Sequence, residues 1–133
     1  MSEPNISIGP WLVQLFTKIF FQPDDGVSSQ AFDHGVSPDL VVRINGKHLG
    51  YHEFRSVIQD TRAKKYISEQ SNDELLASQA DPEGKGGSVA QLSHFTFKDK
   101  VTGHEIYSST VILATIEWSE GTRLLTQLTE VTH

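Results

Sequence analysis

Two charged residues, Arg43 and Glu130, stand in segments that are otherwise rich in apolar residues. Arg43 lies in the run LVVRINGK, and Glu130 lies near the end of the run RLLTQLTEVT. A guanidinium stays charged at any working pH, so a buried Arg43 must meet a carboxylate or the oxygen atoms of a ligand. In a strand, Glu130 shares a face with Leu124 and Leu128, where an unpaired carboxylate is costly to bury. Each residue therefore needs a partner, and each is a candidate for acid–base chemistry.

Three other titratable side chains lie on predicted strands. His94, in the run QLSHFTF, would titrate near neutral pH if it lay beside a pocket, although a lone strand histidine is more often a surface or core residue. Tyr107 and Glu117 share a face with Val111 and Leu113. That face either lines a pocket or forms the surface of a dimer.

Asp39, Trp11 and Tyr66 complete the candidate residues. Asp39 follows Pro38 at the start of a predicted strand, where its carboxylate would bind local backbone amides or serve a ligand site. Trp11 on the first predicted helix and Tyr66 at the end of the third could form an aromatic wall for a ligand. Packing alone also explains both aromatic residues.

The sequence offers little for a metal or a covalent nucleophile. His48 and His52 are four residues apart, but they flank a predicted junction between a strand and a helix, so they need not share one helical face. The chain has no cysteine and no Gly-x-Ser-x-Gly motif, which excludes thiolate chemistry and leaves a serine triad unsupported. We expect neither a metal nor another cofactor.

The composition predicts one compact domain that spans residues 1–133. Hydrophobic residues make up 37% of the chain, which suits a single core. A net charge of −6 and a pI near 5.4 favour neither nucleic acid nor an anionic membrane as a partner. The apolar run from Trp11 to Phe21 is too short and too interrupted for a membrane span or a signal peptide. We expect a soluble cytoplasmic protein.

The first part of the chain shows the spacing of amphipathic helices. Apolar residues recur every three or four positions from Ile8 to Phe20, and Pro10 suits the first turn of that helix. A second, short helix is expected to begin at a Ser28 or Ser29 cap and to end at His34. Such helices must lie against a sheet or against each other.

A hairpin and a third helix follow. The strand LVVRI runs into Asn45-Gly46, the strongest hairpin turn signal in the sequence, and Lys47 to Leu49 forms the return strand. Gly50 starts the third helix. Its predicted buried stripe is Tyr51, Phe54, Val57 and Ile58, and its predicted solvent side is Arg55, Gln59, Arg62 and Lys64.

The rest of the chain reads as long strands. Residues 65–80 form one strand with a bulge or bend near Asn72, residues 81–88 form a loop, and residues 89–98 form the next strand. The run from Glu105 to Thr132 breaks at residues 119–122, which predicts two long antiparallel strands. The middle of the first of these, around Ile112, is apolar on both faces, so something should cover both sides.

This order of elements resembles the nuclear-transport-factor-2-like (NTF2-like) superfamily and, within it, the SnoaL-like group. The resemblance covers nearly the whole chain: a long apolar helix, a short helix just before SPDLVV, an LG step into a third helix, and a long strand meander. It implies an α+β fold in which a strongly bent, mostly antiparallel sheet wraps three N-terminal helices into a cone with a deep apolar pocket. Relatives include ketosteroid isomerases, polyketide cyclases and fungal secondary-metabolism enzymes, and small, acidic, cysteine-free chains of this build resemble the fungal members. Many relatives are homodimers that pack sheet on sheet, so the resemblance implies a homodimer through the sheet here as well.

The resemblance also implies that the first and last strands are neighbours, which makes Arg43 and Glu130 natural partners. The pair would be either a structural salt bridge or a catalytic pair in which Glu130 is general base or acid and Arg43 stabilises an oxyanion. Superfamily members often carry an acidic residue at the position of Asp39. In the resembled isomerases the general base lies near the end of the first strand, where this chain has Ile44 and Asn45.

Two function classes follow from these residues. One is a cofactor-independent isomerase, cyclase or dehydratase of secondary metabolism that binds an apolar polycyclic molecule and moves protons with Glu130, helped by Arg43, His94 or Tyr107. The other is a dimeric interaction module or a small-molecule-binding module of the same fold. The enzyme requires Arg43 and Glu130 to open into one cavity, whereas the module allows packed side chains to seal them off.

Overall fold

The computed structural model describes residues 6–133, in which three helices pack against one face of a six-stranded sheet. The helices are α1 (Ile8–Phe20), α2 (Asp25–Gly35) and α3 (Tyr51–Lys64). The strands are β1 (Val36–Ile44), β2 (Lys47–Leu49), β3 (Lys65–Gln79), β4 (Gly87–Asp99), β5 (Glu105–Ser119) and β6 (Thr122–Thr132). This is the α+β order that the sequence predicts. No helix among the described residues is long and apolar enough to cross a membrane.

The first helix forms as predicted, and the second begins earlier than expected. Most of the apolar stripe of α1, including Leu12 and Ile19, is buried, and Phe20 at its end is half-buried. Helix α2 begins at Asp25 because the Asp24 carboxylate accepts hydrogen bonds from two N–H groups of its first turn, at 2.8 and 3.2 Å. Ser28 is therefore not the cap, and its hydroxyl instead donates to the carbonyl of Ile19 at 2.7 Å.

The hairpin and the start of α3 also follow the sequence signals. Asn45 and Gly46 have φ angles of 51° and 84°, the left-handed values that a tight two-residue hairpin requires. The Glu53 carboxylate in the first turn of α3 accepts a hydrogen bond from the Gly50 N–H at 3.0 Å. The turn and this cap fix the direction in which the chain enters and leaves the short strand β2.

The strand order in the sheet is β2-β1-β6-β5-β4-β3. Strands β1 and β6 pair in parallel, and the other neighbours are antiparallel. The first and last long strands are therefore neighbours, as the resemblance implies. The inner face of β5 contacts the core through Ile112 and Ile116, whereas Val111 and Leu113 on its outer face are exposed. The helices thus cover only one face of the sheet.

Strand β6 does not keep the simple alternation that the sequence predicts. Its pairing with β5 shifts between Thr115 and Ile116 of β5, which places an extra residue, Thr126, in β6. Leu125 and Leu128 consequently both point into the core, and Leu125 rather than Leu124 is the fully buried residue. Beyond this bulge Glu130 points inward with Leu128. Strand β3 likewise carries two register shifts, between residues 69 and 71 and between 74 and 76, rather than one bend near Asn72.

Candidate functional site

A cavity of about 400 Å³ lies between the inner face of the sheet and one side of α1 and α3. Its wall is mainly aromatic because Phe16 and Phe20 of α1, Phe54 of α3, and Phe95 and Phe97 of β4 all point into it, together with Phe21. The rings of Phe21 and Phe95 lie 6.0 Å apart, and those of Phe95 and Phe97 lie 5.1 Å apart edge to face. Such an aromatic wall suits a flat apolar ligand.

Glu130 brings a carboxyl group into this apolar space. It lies on β6 between Ile44 of β1 and Ile112 of β5, which are its direct cross-strand neighbours and which also line the cavity. Its carboxylate forms no hydrogen bond and no ion pair with any residue from 6 to 133, and its oxygen atoms are open to the cavity rather than sealed in the core. Burial raises the pKa of Glu130 to about 7, because the apolar surroundings disfavour the charged form.

Three hydroxyl groups form a cluster beside Glu130 on the inner face of β5 and β6. The Thr110 hydroxyl donates to Thr132 Oγ1 at 2.7 Å, and the Ser108 hydroxyl donates to the carbonyl of His133 at 3.1 Å. Ser108 Oγ and Thr132 Oγ1 are 3.3 Å apart. All three side chains line the cavity, so they can offer polar contacts to a ligand next to the carboxyl group.

A second polar group lies on the β3 side of the cavity. The Ser93 hydroxyl donates to Glu69 Oε2 at 2.9 Å, and Asn72 Nδ2 donates to Gln91 Oε1 at 3.2 Å. Glu69 therefore has a hydrogen-bond partner, unlike Glu130. Two strands, β4 and β5, separate β3 from β6, so the two carboxylates are on opposite sides of the cavity.

Arg43 lies outside the cavity, and the expected ion pair with Glu130 is not formed. The register pairs Arg43 with Thr129, and it is Ile44 that pairs with Glu130. Neighbouring residues of a strand point to opposite faces, so Arg43 projects from the outer face and is exposed. The expectation of a shared cavity was wrong because LVVRI alternates: the residues on either side of Arg43 point inward and Arg43 does not.

The other candidate residues of the strands are also on the outer face. His94 pairs with Ser109 across β4 and β5, and its Nδ1 lies 2.7 Å from Ser109 Oγ. Tyr107 is 75% exposed, and Glu117 is exposed as well. Because all three point away from the cavity, they cannot touch a ligand bound beside Glu130.

Trp11, Tyr66 and Asp39 do not reach the cavity either. Trp11 lines a separate groove between α1 and Trp118. Tyr66 is 54% exposed, and the ammonium of Lys100 lies 5.0 Å from its ring centre. Asp39 is exposed, and its backbone N–H donates to Ser37 Oγ at 3.1 Å, so Ser37 rather than the Asp39 carboxylate supplies the local turn contact.

Sequence reasoning found Glu130 but missed most of its surroundings. The missed residues are the aromatic side chains of α1 and β4, the Ser93–Glu69 pair, and the hydroxyl cluster of Ser108, Thr110 and Thr132. The alternation of β4 places Ser93, Phe95 and Phe97 on one face, which was an available signal. Glu69 and the hydroxyl cluster join that face only through the cross-strand register. No group of three or more His, Asp or Glu side chains among residues 6–133 is arranged to hold a metal ion.

Solved structures with the same fold cover nearly the whole chain. A conserved protein from Planctomyces limnophilus is 13% identical, with a TM-score of 0.78 over 100% of this chain and 98% of its own. A ketosteroid isomerase-like protein from Erwinia carotovora is 14% identical, with a TM-score of 0.71 over 99% and 98%. LinA is 10% identical, with a TM-score of 0.70 over 94% and 86%.

These similarities show that the chain has the cone-shaped NTF2-like fold. No protein-family profile and no curated protein sequence matches the chain. The fungal origin that the resemblance implies stays a prediction.

Proposed function

We propose that this protein is a cofactor-independent acid–base enzyme that acts on an apolar, ring-containing small molecule in secondary metabolism. The reaction is proton transfer at a carbon, as in an isomerisation, a ring closure or an elimination. The observation that carries the proposal is the carboxyl group of Glu130, which opens into an apolar cavity without a partner among residues 6–133. A carboxylate in such a place is costly unless it is used.

The protonation of Glu130 suits this chemistry. Because its pKa is raised to about 7, the carboxylate and the acid are both populated at neutral pH. The carboxylate can take a proton from a substrate carbon, and the acid can return that proton to the same carbon or to another one. A general base works best when its pKa is close to the working pH.

The cavity wall supports a neutral, flat substrate. Six phenylalanine rings line the cavity, and no lysine or arginine among the described residues does. An anionic substrate would meet the carboxylates of Glu69 and Glu130 with no lysine or arginine of residues 6–133 in the cavity wall to balance their charge. The volume of about 400 Å³ suits a molecule of two or three fused rings.

Two comparisons support acid–base chemistry in this fold. One similar structure is a ketosteroid isomerase-like protein, and a LinA enzyme of the same fold is a hexachlorocyclohexane dehydrochlorinase, whose name states an elimination. In the resembled isomerases the general base lies near the end of the first strand, and here Ile44 at that place is the direct neighbour of Glu130. The Glu130 carboxylate would thus lie at the same depth in the cone as the general base of those isomerases, but on the neighbouring strand β6 instead of the first strand.

Deuterium exchange into 2-tetralone, a bicyclic ketone with acidic C–H groups, tests the proposal. In D₂O the wild type should accelerate exchange next to the carbonyl, and Glu130→Gln should reduce the rate by about 10²-fold or more. Glu117→Gln is the matched control, because that carboxylate lies on the exposed outer face. Exchange that is equally fast in wild type and Glu130→Gln would overturn the assignment.

The alternative is a binding module without chemistry, which the open apolar cavity would also serve. In that case the wild type would bind naphthalene and 2-tetralone but would not accelerate exchange of the ketone's protons above the rate without protein. The same experiment therefore separates the two functions.

We also propose that the partner of the outer sheet face is a second copy of this chain. Leu76, Leu113 and Val131 are 71%, 54% and 64% exposed, and they lie on the outer face of β3, β5 and β6, which none of the three described helices covers. A row of exposed apolar side chains of this kind marks an interaction surface. Leu113→Lys should convert a dimer to a monomer in sedimentation experiments, and an unchanged mass would contradict the proposal.

A further inference from the structure

The hydroxyl groups that line the cavity differ in where their protons go. Thr61 donates to the carbonyl of Val57 at 2.8 Å, and Ser93 donates to Glu69 at 2.9 Å. The hydroxyl protons of Thr110 and Ser108 are also engaged, with Thr132 Oγ1 and with the carbonyl of His133. Each of these four hydroxyl groups therefore already donates its hydrogen bond to a protein atom.

Thr132 is the exception among these hydroxyls. It accepts the short hydrogen bond of 2.7 Å from Thr110, and its own proton has only the long contact of 3.3 Å to Ser108 Oγ within the described chain. A hydroxyl has one proton to donate, and it becomes a stronger donor when it accepts a hydrogen bond. The proton of Thr132 is thus available to an acceptor in the cavity.

The position of Thr132 is fixed from two sides. Asn45 Oδ1 accepts a hydrogen bond from the Thr132 N–H at 2.9 Å, and Asn45 Nδ2 donates to the Thr132 carbonyl at 3.2 Å. Asn45 lies in the hairpin turn with a left-handed conformation, and both polar atoms of its side-chain amide contact the backbone of β6. With the backbone held by Asn45 and the hydroxyl held by Thr110, the donor is positioned before a ligand arrives.

Thr132 and Glu130 stand at a spacing that fits a carbonyl compound. They are two residues apart on the same face of β6, which separates their Cα atoms by about 6.6 Å. A carboxylate that takes a proton lies about 3 Å from the carbon it attacks. The carbonyl oxygen lies about 2.4 Å from that carbon, and a donor lies about 2.8 Å beyond the oxygen. Placed end to end at an angle, these three distances can connect the carboxylate of Glu130 to the hydroxyl of Thr132.

We propose that Thr132, supported by Thr110 and Ser108, is a catalytic residue that donates a hydrogen bond to the carbonyl oxygen of the substrate while Glu130 takes the proton from the adjacent carbon. The substrate class is then an apolar ring ketone or a related carbonyl compound. This inference rests on the proposed function, because it assigns the second group that an enolisation requires.

The step balances without a further reactant. The C–H bond next to the carbonyl breaks, and its proton goes to the Glu130 carboxylate. The electron pair of that bond forms the C=C bond of an enolate, and the π pair of the carbonyl moves to the oxygen, which Thr132 stabilises. Return of the proton from Glu130 to the same carbon gives exchange, and return to a conjugated carbon gives isomerisation.

The test compares Thr132→Val, which keeps the shape and removes the hydroxyl, with Thr132→Ser, which keeps the hydroxyl. Two measurements are made on the folded full chain: exchange into 2-tetralone, and affinities for 2-naphthol and naphthalene. Thr132→Val should slow exchange by about 10²-fold, the loss seen when one preorganised oxyanion donor is removed. Its affinity for 2-naphthol should fall about 10-fold, with that for naphthalene unchanged. Thr132→Ser should stay within a few-fold of wild type, and Thr110→Val should fall between them.

The outcomes separate this inference from the proposed function. Loss of exchange in Glu130→Gln together with full exchange in Thr132→Val would overturn the role of Thr132 and leave Glu130 as the base. Full exchange in both variants would overturn both proposals. A loss of naphthalene affinity equal to that of 2-naphthol in Thr132→Val would show that the threonine only shapes the cavity.

Discussion

Arg62 and Glu130 both place a charged group inside the molecule, but only Arg62 has partners there. Arg62 is 7% exposed, and its guanidinium donates to the Asp25 carboxylate at 2.9 Å and to carbonyl oxygens of Ile19 and Gln22 at 3.1 and 2.9 Å. These carbonyls belong to the end of α1 and the residues after it. Arg62 thus ties α3 to the ends of both other helices.

The contrast separates a structural charge from a functional one. Every contact of Arg62 forms when the chain folds, so its desolvation is offset within the protein. The contacts that would offset the desolvation of Glu130 are missing among residues 6–133, and its pKa is raised to about 7 as a result. A group left in this state is poised for a partner that arrives from solution.

The largest expected effect is the loss of stability in Arg62→Met. This change removes the hydrogen bonds of Arg62 to the carbonyls of Ile19 and Gln22 and the tie to Asp25. We expect the free energy of unfolding in urea to fall by about 3 kcal/mol. The control is Arg55→Met, because the pair of Arg55 with Asp33 at 3.1 Å is partly exposed, and it should cost less than about 1 kcal/mol. Equal losses in the two variants would contradict the structural role of Arg62.

A smaller effect of opposite sign is expected for Glu130→Gln. The folded-state pKa of about 7 lies above the ordinary value of 4.5, so the folded state binds more protons between these pH values. Stability of the wild type should therefore fall as the pH rises from 4.5 to 7, by at most about 3 kcal/mol, and less where water in the cavity solvates the carboxylate. The amide carries no charge, so Glu130→Gln should be more stable than wild type at pH 8.

The difference in the free energy of unfolding between wild type and Glu130→Gln, measured across this pH range, reports on the ionisation of the Glu130 carboxyl group alone. The pKa values of Asp81 and Asp99 are lowered by backbone hydrogen bonds, chiefly from Lys85 and Thr102, so their contributions are lost only as the pH falls below this window. His133 and Glu69 also line the cavity, but both are present in the two proteins. A difference that does not change between pH 4.5 and 8 would mean that Glu130 is solvated like a surface carboxylate.

The sequence predicts the fold better than the site. The helix from Ile8, the Asn45-Gly46 turn and the paired first and last strands all follow from local patterns and from the resemblance. The bulge at Thr126 does not follow from such patterns, because the residue types of β6 give no sign of it. The bulge nevertheless moves every side chain before it in β6 to the opposite face of the sheet from the one that simple alternation predicts.

The burial of Arg62 was indicated by its spacing in α3, but its charge suggested the opposite. Arg62 follows Phe54 and Ile58 at intervals of four, so it continues their buried stripe, but a charged residue is normally assigned to the solvent side. Thr110 and Thr132 carried no such signal, since small hydroxyl residues are common on strands. Only the cross-strand register brings them together.

The smallest expected effect is that of Arg43→Met. This variant tests whether Glu130, unlike Arg62, really lacks a charged partner. Arg43 is exposed beside Thr129 and His48 on the outer face, so its loss should change the free energy of unfolding by less than about 0.5 kcal/mol and leave exchange into 2-tetralone unchanged. In the double variant with Glu130→Gln the two changes should add within about 0.5 kcal/mol, because the side chains lie on opposite faces of the sheet. A larger coupling would mean that Arg43 neutralises Glu130 after all, and Glu130 would then be a structural charge like Arg62.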